Sequence, residues 1–200
     1  MSKNTLKNSP KVLGLDISTK TIGWALFDLH TQNLLELTHV SPVIKPRPED
    51  KVEELMYKVD AFEEKLKNYK DLGITKVIIE EPLLNSNNVW TVGTLLRYNS
   101  MISRSIYRVL GIIPKYISTY NSRKYAWPEL VQENDKGKRV LFGGLPKDID
   151  KKEIIWNKVS NKEPQIVWLY TRNNTLKKEC FDQADAYTCV LGYMKKEKIW

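Results

Sequence analysis

Apolar positions follow two rhythms along the chain. Over the first part, dense short runs alternate with polar breaks: KVLGLDIS (11–18), TIGWALFD (21–28) and LLELTHVSPVI (34–44). They are rich in β-branched and aromatic residues, and the breaks at Ser18–Lys20 and His30–Asn33 predict an antiparallel meander. PRPED (46–50) is a turn whose acids suit the start of a helix. Val52, Leu55, Met56, Val59, Phe62 and Leu66 then recur at helical spacing. ITKVIIEEP (74–82) is a continuous apolar run closed by Pro82, which predicts a central strand. VWTVGTLLRYNSMISRSIYRVLG (89–111) predicts a long helix with Gly111 as its C-terminal cap, and IIPKYIS (112–118) a further strand.

From Thr119 the pattern loosens. YNSRKYAWPELVQENDKGKRVLFGGLPKD is polar, basic and broken by Gly143, Gly144 and Pro146, so it reads as loop-rich. KKEIIWNKVSN (151–161) predicts a short amphipathic helix, and ECFDQADAYTCVLGYMKK (179–196) a closing helix. The order β-β-β-α-β-α-β-α implies an α/β protein with a mixed sheet, a three-strand antiparallel meander plus parallel strands, flanked by helices. That order resembles the ribonuclease H-like fold. At roughly 100–200 residues per domain, the expectation is one domain over 11–200 with a basic insert at about 121–150. Residues 1–10, MSKNTLKNSP, read as a flexible tail with no apolar core of a signal peptide.

Composition narrows the class. Hydrophobic residues make up 42% and charged residues 28%, the balance of an ordinary globular protein, and no run of 18 apolar residues suggests a membrane span. Cys180 and Cys189 lie nine apart, outside any metal-ligand spacing, and read as free thiols of a reducing, cytoplasmic compartment. His30 and His39 complete no zinc pattern with them. Net charge is +8, unevenly placed: residues 121–178 hold 13 basic and 7 acidic side chains, a surplus of 6. A polyanion would be drawn to that region, although a solubilising basic surface gives the same count.

Four carboxylates stand where chain order brings them together. Asp16 ends the first run, Glu80 ends the central strand, and Asp182 and Asp185 lie three apart on one face of the last helix. Each alone reads equally as a cap, a loop acid or a helix N-terminal acid favoured by the macrodipole. Glu81 competes with Glu80, since alternation turns only one of them to the site. Jointly they suit two-metal phosphodiester hydrolysis, with two Mg²⁺ ions roughly 3.5–4 Å apart on carboxylate ligands.

GLDISTKTIGWALFD (14–28), VIIEEPLL (77–84) and DQADAYTCVLGY (182–193) resemble the three acidic motifs of the RuvC group of Holliday-junction resolvases, a branch of the ribonuclease H-like nucleases. The resemblance covers 11–120 in element order and resumes at about 151–194. It implies a homodimeric, Mg²⁺-dependent endonuclease of branched or four-way-junction DNA, with Mn²⁺ able to substitute. It assigns Asp16, Glu80, Asp182 and Asp185 as catalytic metal ligands, Asp16 bridging both ions, and Asn121, Arg123 and Lys124 as phosphate contacts. Two departures stand out. Pro82, Leu83 and Leu84 occupy the stretch where bacterial members carry an aromatic wedge, though Trp90 is close by, and the link at 125–150 is longer. Such divergence suits a phage- or virus-encoded member, acting in the host cytoplasm.

Around the acids, Trp90, Trp127, Trp156 and Trp168 interleave with basic residues and could stack on unpaired bases, or simply pack in the core. Arg97, Arg104 and Arg108 share one helical face, either solvated or a phosphate track. Lys138 and Arg139 in KGKRV, with Lys147, Lys151 and Lys152, are further candidate backbone contacts. Four competing readings remain. An ATP-binding protein of the actin and sugar-kinase type also has a first phosphate loop much like DISTKTIGWAL, but it needs a second phosphate loop after a strand, whereas DLGIT (71–75) precedes one, and it needs a second domain. A YqgF-like RNA nuclease, a transposase-like nuclease and a non-catalytic junction-binding protein share the fold.

Overall fold

The structure, a computed structural model, describes residues 9–82, 88–146 and 148–200. The meander is present as β1 (Lys11–Ile17), β2 (Ile22–Asp28) and β3 (Leu34–Val40). After α1 (Lys51–Lys67), β4 (Ile74–Glu80) runs parallel to β1, and after α2 (Val89–Leu110), β5 (Lys115–Ile117) runs parallel to β4. The sheet order is β3-β2-β1-β4-β5. Local chemistry starts and stops the helices. Asp50 accepts hydrogen bonds from the Val52 and Glu53 amides at the head of α1, and Gly111, at φ 72°, ends α2 in the left-handed region.

Two strands are shorter than their apolar runs. β3 stops at Val40, just before Pro42, and β5 begins only at Lys115, after Pro114, because proline has no N–H to give a ladder. Much of the stretch after Thr119 expected to be loop-rich, 120–148, is instead structured, which corrects that expectation. Ser118 caps α3 (Thr119–Ala126), and a 3-10 turn (Pro128–Leu130) leads into a hairpin of β6 (Val131–Glu133) and β7 (Arg139–Leu141). Asn134 closes that hairpin by accepting from the Lys136 and Lys138 amides, both at 3.0 Å. α4 (Lys151–Lys162) and α5 (Glu179–Lys196) follow.

Alternation along the strands divides the core in two. Leu13, Leu15 and Ile17 of β1 and Val77 and Ile79 of β4 face α1 and α2, packing on Phe62, Leu66, Tyr98 and Ile102. Val12 and Ile78 face the other way, onto Ala186, Cys189 and Val190 of α5 and Ile155 and Val159 of α4. With helices on both faces, β1 is buried almost end to end and β4 over Val77–Ile79, which is why their centres read as continuous apolar runs.

α5 lies unusually close to the meander. A Cβ on Gly23 would stand 1.9 Å from the Asp182 carbonyl oxygen, and one on Gly14 would stand 2.6 Å from that of Ala186. Gly23 pairs with Asp16 across β1 and β2, so this contact sets Asp182 over Asp16. Gly23→Ala must therefore push backbone against backbone. The expected cost is about 1–3 kcal/mol, a fall in melting temperature of roughly 2–12 °C measured by thermal unfolding.

Candidate active site

Asp16 and Glu80 sit at the C-terminal ends of neighbouring parallel strands, one step beyond the Leu15–Ile79 pair. Their places in the alternation put both on the α5 face, with Val12 and Ile78. Glu81 is one residue further on and exposed, so the alternation selects Glu80. From above, the first two turns of α5 bring Asp182 and Asp185, the latter 3% exposed.

Burial and mutual repulsion dominate the electrostatics. Loss of water, then the charges of Glu80, Asp185 and Asp182, hold the Asp16 carboxyl well above the usual carboxylate range. Burial and the Asp185 charge push Glu80 up to about 7, against a hydrogen bond from Thr119 and the charges of Arg123 and Lys152. Burial also raises Asp182, although Lys152 pulls the other way.

Two cations neutralise the cluster. Arg123 of α3, its side chain only 11% exposed, donates to Asp185 at 2.9 Å. Lys152, in the first turn of α4, places its ammonium 3.5 Å from Asp182 and 3.7 Å from Asp185. Thr119 donates to Glu80 Oε1 at 2.6 Å, while Glu80 Oε2 is buried without a partner. α3 thus stitches β4 to α5 through two side chains four residues apart.

The donor set is all carboxylate oxygen, and Glu80 brings an unsatisfied buried acceptor, so a hard divalent cation fits it chemically. Among the described residues no group of three or more His, Cys, Asp or Glu side chains is already arranged to hold a metal ion. Lys152 instead serves Asp182 and Asp185, and half of its side chain is exposed.

The other candidate residues scatter. Asn121 and Lys124 lie on α3, Lys124 over the Tyr120 and Tyr125 rings at 5.8 and 5.7 Å. Arg123 faces inward to Asp185, not outward. Arg97 and Arg104 are exposed on α2, but Arg108 pairs with Glu63 of α1 and so joins two helices instead of extending a phosphate track. Lys138 and Arg139 are exposed on the β6–β7 hairpin, and Lys151 lies over the Phe142 ring. Leu83, Leu84 and Lys147 fall outside the described residues.

Of the tryptophans, Trp127 is buried against Tyr187 and donates to Thr188, and Trp156 meets Trp168 edge to face, so these three pack. Trp90 is 83% exposed beside a 570 Å³ cavity formed with Lys20, Val43, Arg47 and Lys51. The sequence reading missed Thr119 as a partner of the site and placed Lys152 among surface contacts. The signal for Lys152 was present, since Asp150 before Lys151 and Lys152 marks a helix start and hence a fixed direction for the first turn.

No protein-family model matches the chain, and no curated protein matches it in sequence. Among solved structures, it is similar to RuvC of Thermus thermophilus in complex with Holliday junction substrate, with a TM-score of 0.61 over 94% of both chains at 10% identity. The similarity to a second Thermus thermophilus RuvC structure has a TM-score of 0.56 over 94% of this chain and 95% of that one, at 14% identity. The mixed five-stranded sheet with helices on both faces is thus the ribonuclease H-like fold in its RuvC form. No helix among the described residues is long and apolar enough to cross a membrane.

The raised carboxyl groups predict how stability depends on pH. Glu80 binds a proton more readily folded than unfolded, so its contribution is complete below about pH 4.5 and is lost as pH rises to about 7. His39, lowered chiefly by burial, changes stability in the opposite sense nearby, so the comparison must be with a variant. In chelator at pH 7.5, Glu80→Gln should melt a few degrees above the wild type, and the gap should close towards pH 4.5. A constant gap across that range would contradict the charge argument.

Proposed function

We propose that the chain is a divalent-metal-dependent endonuclease that cuts branched DNA, acting as a homodimer on four-way junctions. The observation that carries the reading is the convergence of Asp16, Glu80, Asp182 and Asp185 at one end of the sheet, in a fold shared with a RuvC seen on Holliday junction substrate. Buried acids that raise one another's pKa are costly to keep, and the chemistry that uses them is phosphodiester hydrolysis.

The four carboxylates are the groups that would hold Mg²⁺ or Mn²⁺, which when bound activates a water and stabilises the leaving oxygen. The protein's own part is to fix the acids and manage charge. Gly23 and Gly14 let α5 come close enough to complete the set. Arg123 stays on Asp185, keeping that carboxylate oriented. Lys152, with half its side chain exposed, can exchange its carboxylates for a backbone phosphate as the substrate arrives. Lys138, Arg139, Arg97 and Arg104 are exposed cations available to the arms of a junction. The Trp90 indole offers a surface on which an unpaired base can stack.

The reading is tested with a synthetic four-way junction and a matched linear duplex, with and without Mg²⁺. Paired symmetric nicks in the junction alone, only with Mg²⁺, are expected. Asp16→Asn should abolish cleavage while keeping or strengthening junction binding, because a buried negative charge near the phosphate is removed. Loss of binding in that variant with the fold intact would contradict the assignment, and absence of both binding and cleavage in the wild type would turn attention to RNA.

A further inference from the structure

The segment between α4 and α5 places no side chain in the carboxylate cluster. Its first residue, Glu163, accepts hydrogen bonds from Gln165 and from Tyr187 of α5, and the remaining residues 164–178 hold Arg172, Lys177 and Lys178 and no acid. They fold back on themselves as a small hairpin: Tyr170 and Leu176 form an antiparallel bridge, the Thr171 amide donates to the Thr175 carbonyl at 2.8 Å, and Asn174 takes φ 57° in the turn.

The base of this hairpin is pinned to the catalytic helix and its neighbour. The Leu169 carbonyl accepts from the Lys177 amide at 2.9 Å and from the Cys180 thiol at 3.5 Å, and Cys180 belongs to α5. Trp168 packs edge to face on Trp156 of α4, with ring centroids 5.9 Å apart. The outer surface is apolar where solvent would ordinarily favour polar groups: Val167 is 89%, Tyr170 47% and Leu169 40% exposed. All three cations are exposed as well, and none forms an ion pair among the described residues. Lys178 precedes Asp182 by four residues, about 6 Å along a helix axis.

We propose that this hairpin is a nucleic-acid contact beside the point of cleavage. Arg172, Lys177 and Lys178 hold backbone phosphates of the strand entering the carboxylate cluster, while Val167, Leu169 and Tyr170 lie against sugar and base surface exposed where strands part. Charge decides the partner: three cations without an ion pair, and no acid across 164–178, complement a polyanion, and apolar side chains amid phosphate-binding cations are how proteins engage separated base steps. Because the hairpin is already tied to α4 and α5, binding need not order it first. The inference rests on the nuclease reading.

The test measures junction affinity of the full chain against salt concentration, in chelator so that nothing is cut. Arg172→Ala/Lys177→Ala/Lys178→Ala should lower the slope of log K against log salt by about 2–3, at roughly 0.9 for each phosphate that is no longer neutralised. Lys70→Ala/Lys198→Ala, at the far ends of α1 and α5, is the control and should leave the slope unchanged. A separate variant, Val167→Ser/Tyr170→Ala, should weaken junction binding about 5-fold or more while leaving continuous duplex unaffected. If the triple variant keeps the wild-type slope while the wild type binds and cuts junctions, the hairpin is not a nucleic-acid contact and its apolar strip belongs to a protein partner. If the wild type binds no nucleic acid at all, the hairpin proposal and the nuclease reading fall together.

Discussion

The last helix lies so near the first two strands that only glycine fits beneath it, and the rest of the site follows from that approach. With Gly23 under the Asp182 carbonyl and Gly14 under that of Ala186, the backbone of the helix comes down almost onto the strands. Four carboxylates border that contact. Left alone they would repel one another and resist ionisation, so the surrounding elements supply positive charge from two directions, Arg123 from α3 and Lys152 from α4. α3 makes little sense as packing alone, with only Ser122 and Ala126 fully buried, whereas α4 also packs Ile155 and Val159 into the core.

A comparison within the molecule shows that burial by itself does not make a functional acid. Asp28 is as buried as Asp185, at 3% exposure. Burial works to raise it, but the Ser9 hydroxyl and the Thr31 and His30 amides outweigh that effect and bring it to about 2. Its oxygens are satisfied, and it ends β2 as a structural acid. Glu80 goes the other way, to about 7, with one oxygen lacking any partner. The difference lies in the donors provided: the fold supplies them to Asp28 and leaves one Glu80 oxygen without any, which is what the proposed function would need of a group that holds a metal.

Much of this was legible in the chain itself because the relevant signals are local. The runs that became β1, β2 and β4 are apolar on both faces, and the acids that end β1 and β4 interrupt them at one end. Two acids three apart near the start of a helix must share a face. Choosing between Glu80 and Glu81 needed the register with β1, which one sequence does not supply. α3 was hidden for another reason: TYNSRKYA has almost no apolar stripe, so hydrophobic periodicity is silent, and the helix is held by its Ser118 cap and by polar links to Glu80 and Asp185. The carboxylate partners of Arg123 and Arg108 were not legible because a cation's partner is a fact of tertiary structure. Both sit in basic surroundings, and both turn out to face carboxylates.

The basic surplus of the second half therefore divides by direction. Arg123 and Lys152 are turned inward, where their charge balances acids that the chain has forced together. Lys138, Arg139, Arg172, Lys177 and Lys178 are turned outward on two hairpins and form no ion pair among the described residues, although Glu133 stands across from Arg139 in the first hairpin. Counting charge along the sequence adds these groups together, yet they act in opposite ways. Removing an inward cation leaves buried acids uncompensated and costs stability; removing an outward one costs the fold little and changes only what the surface attracts. Lys152 belongs partly to both groups, since its ammonium serves two carboxylates while half its side chain meets solvent. Under the proposed function, that position would let one residue hold the acids in the free protein and turn to a phosphate once a substrate lies across them.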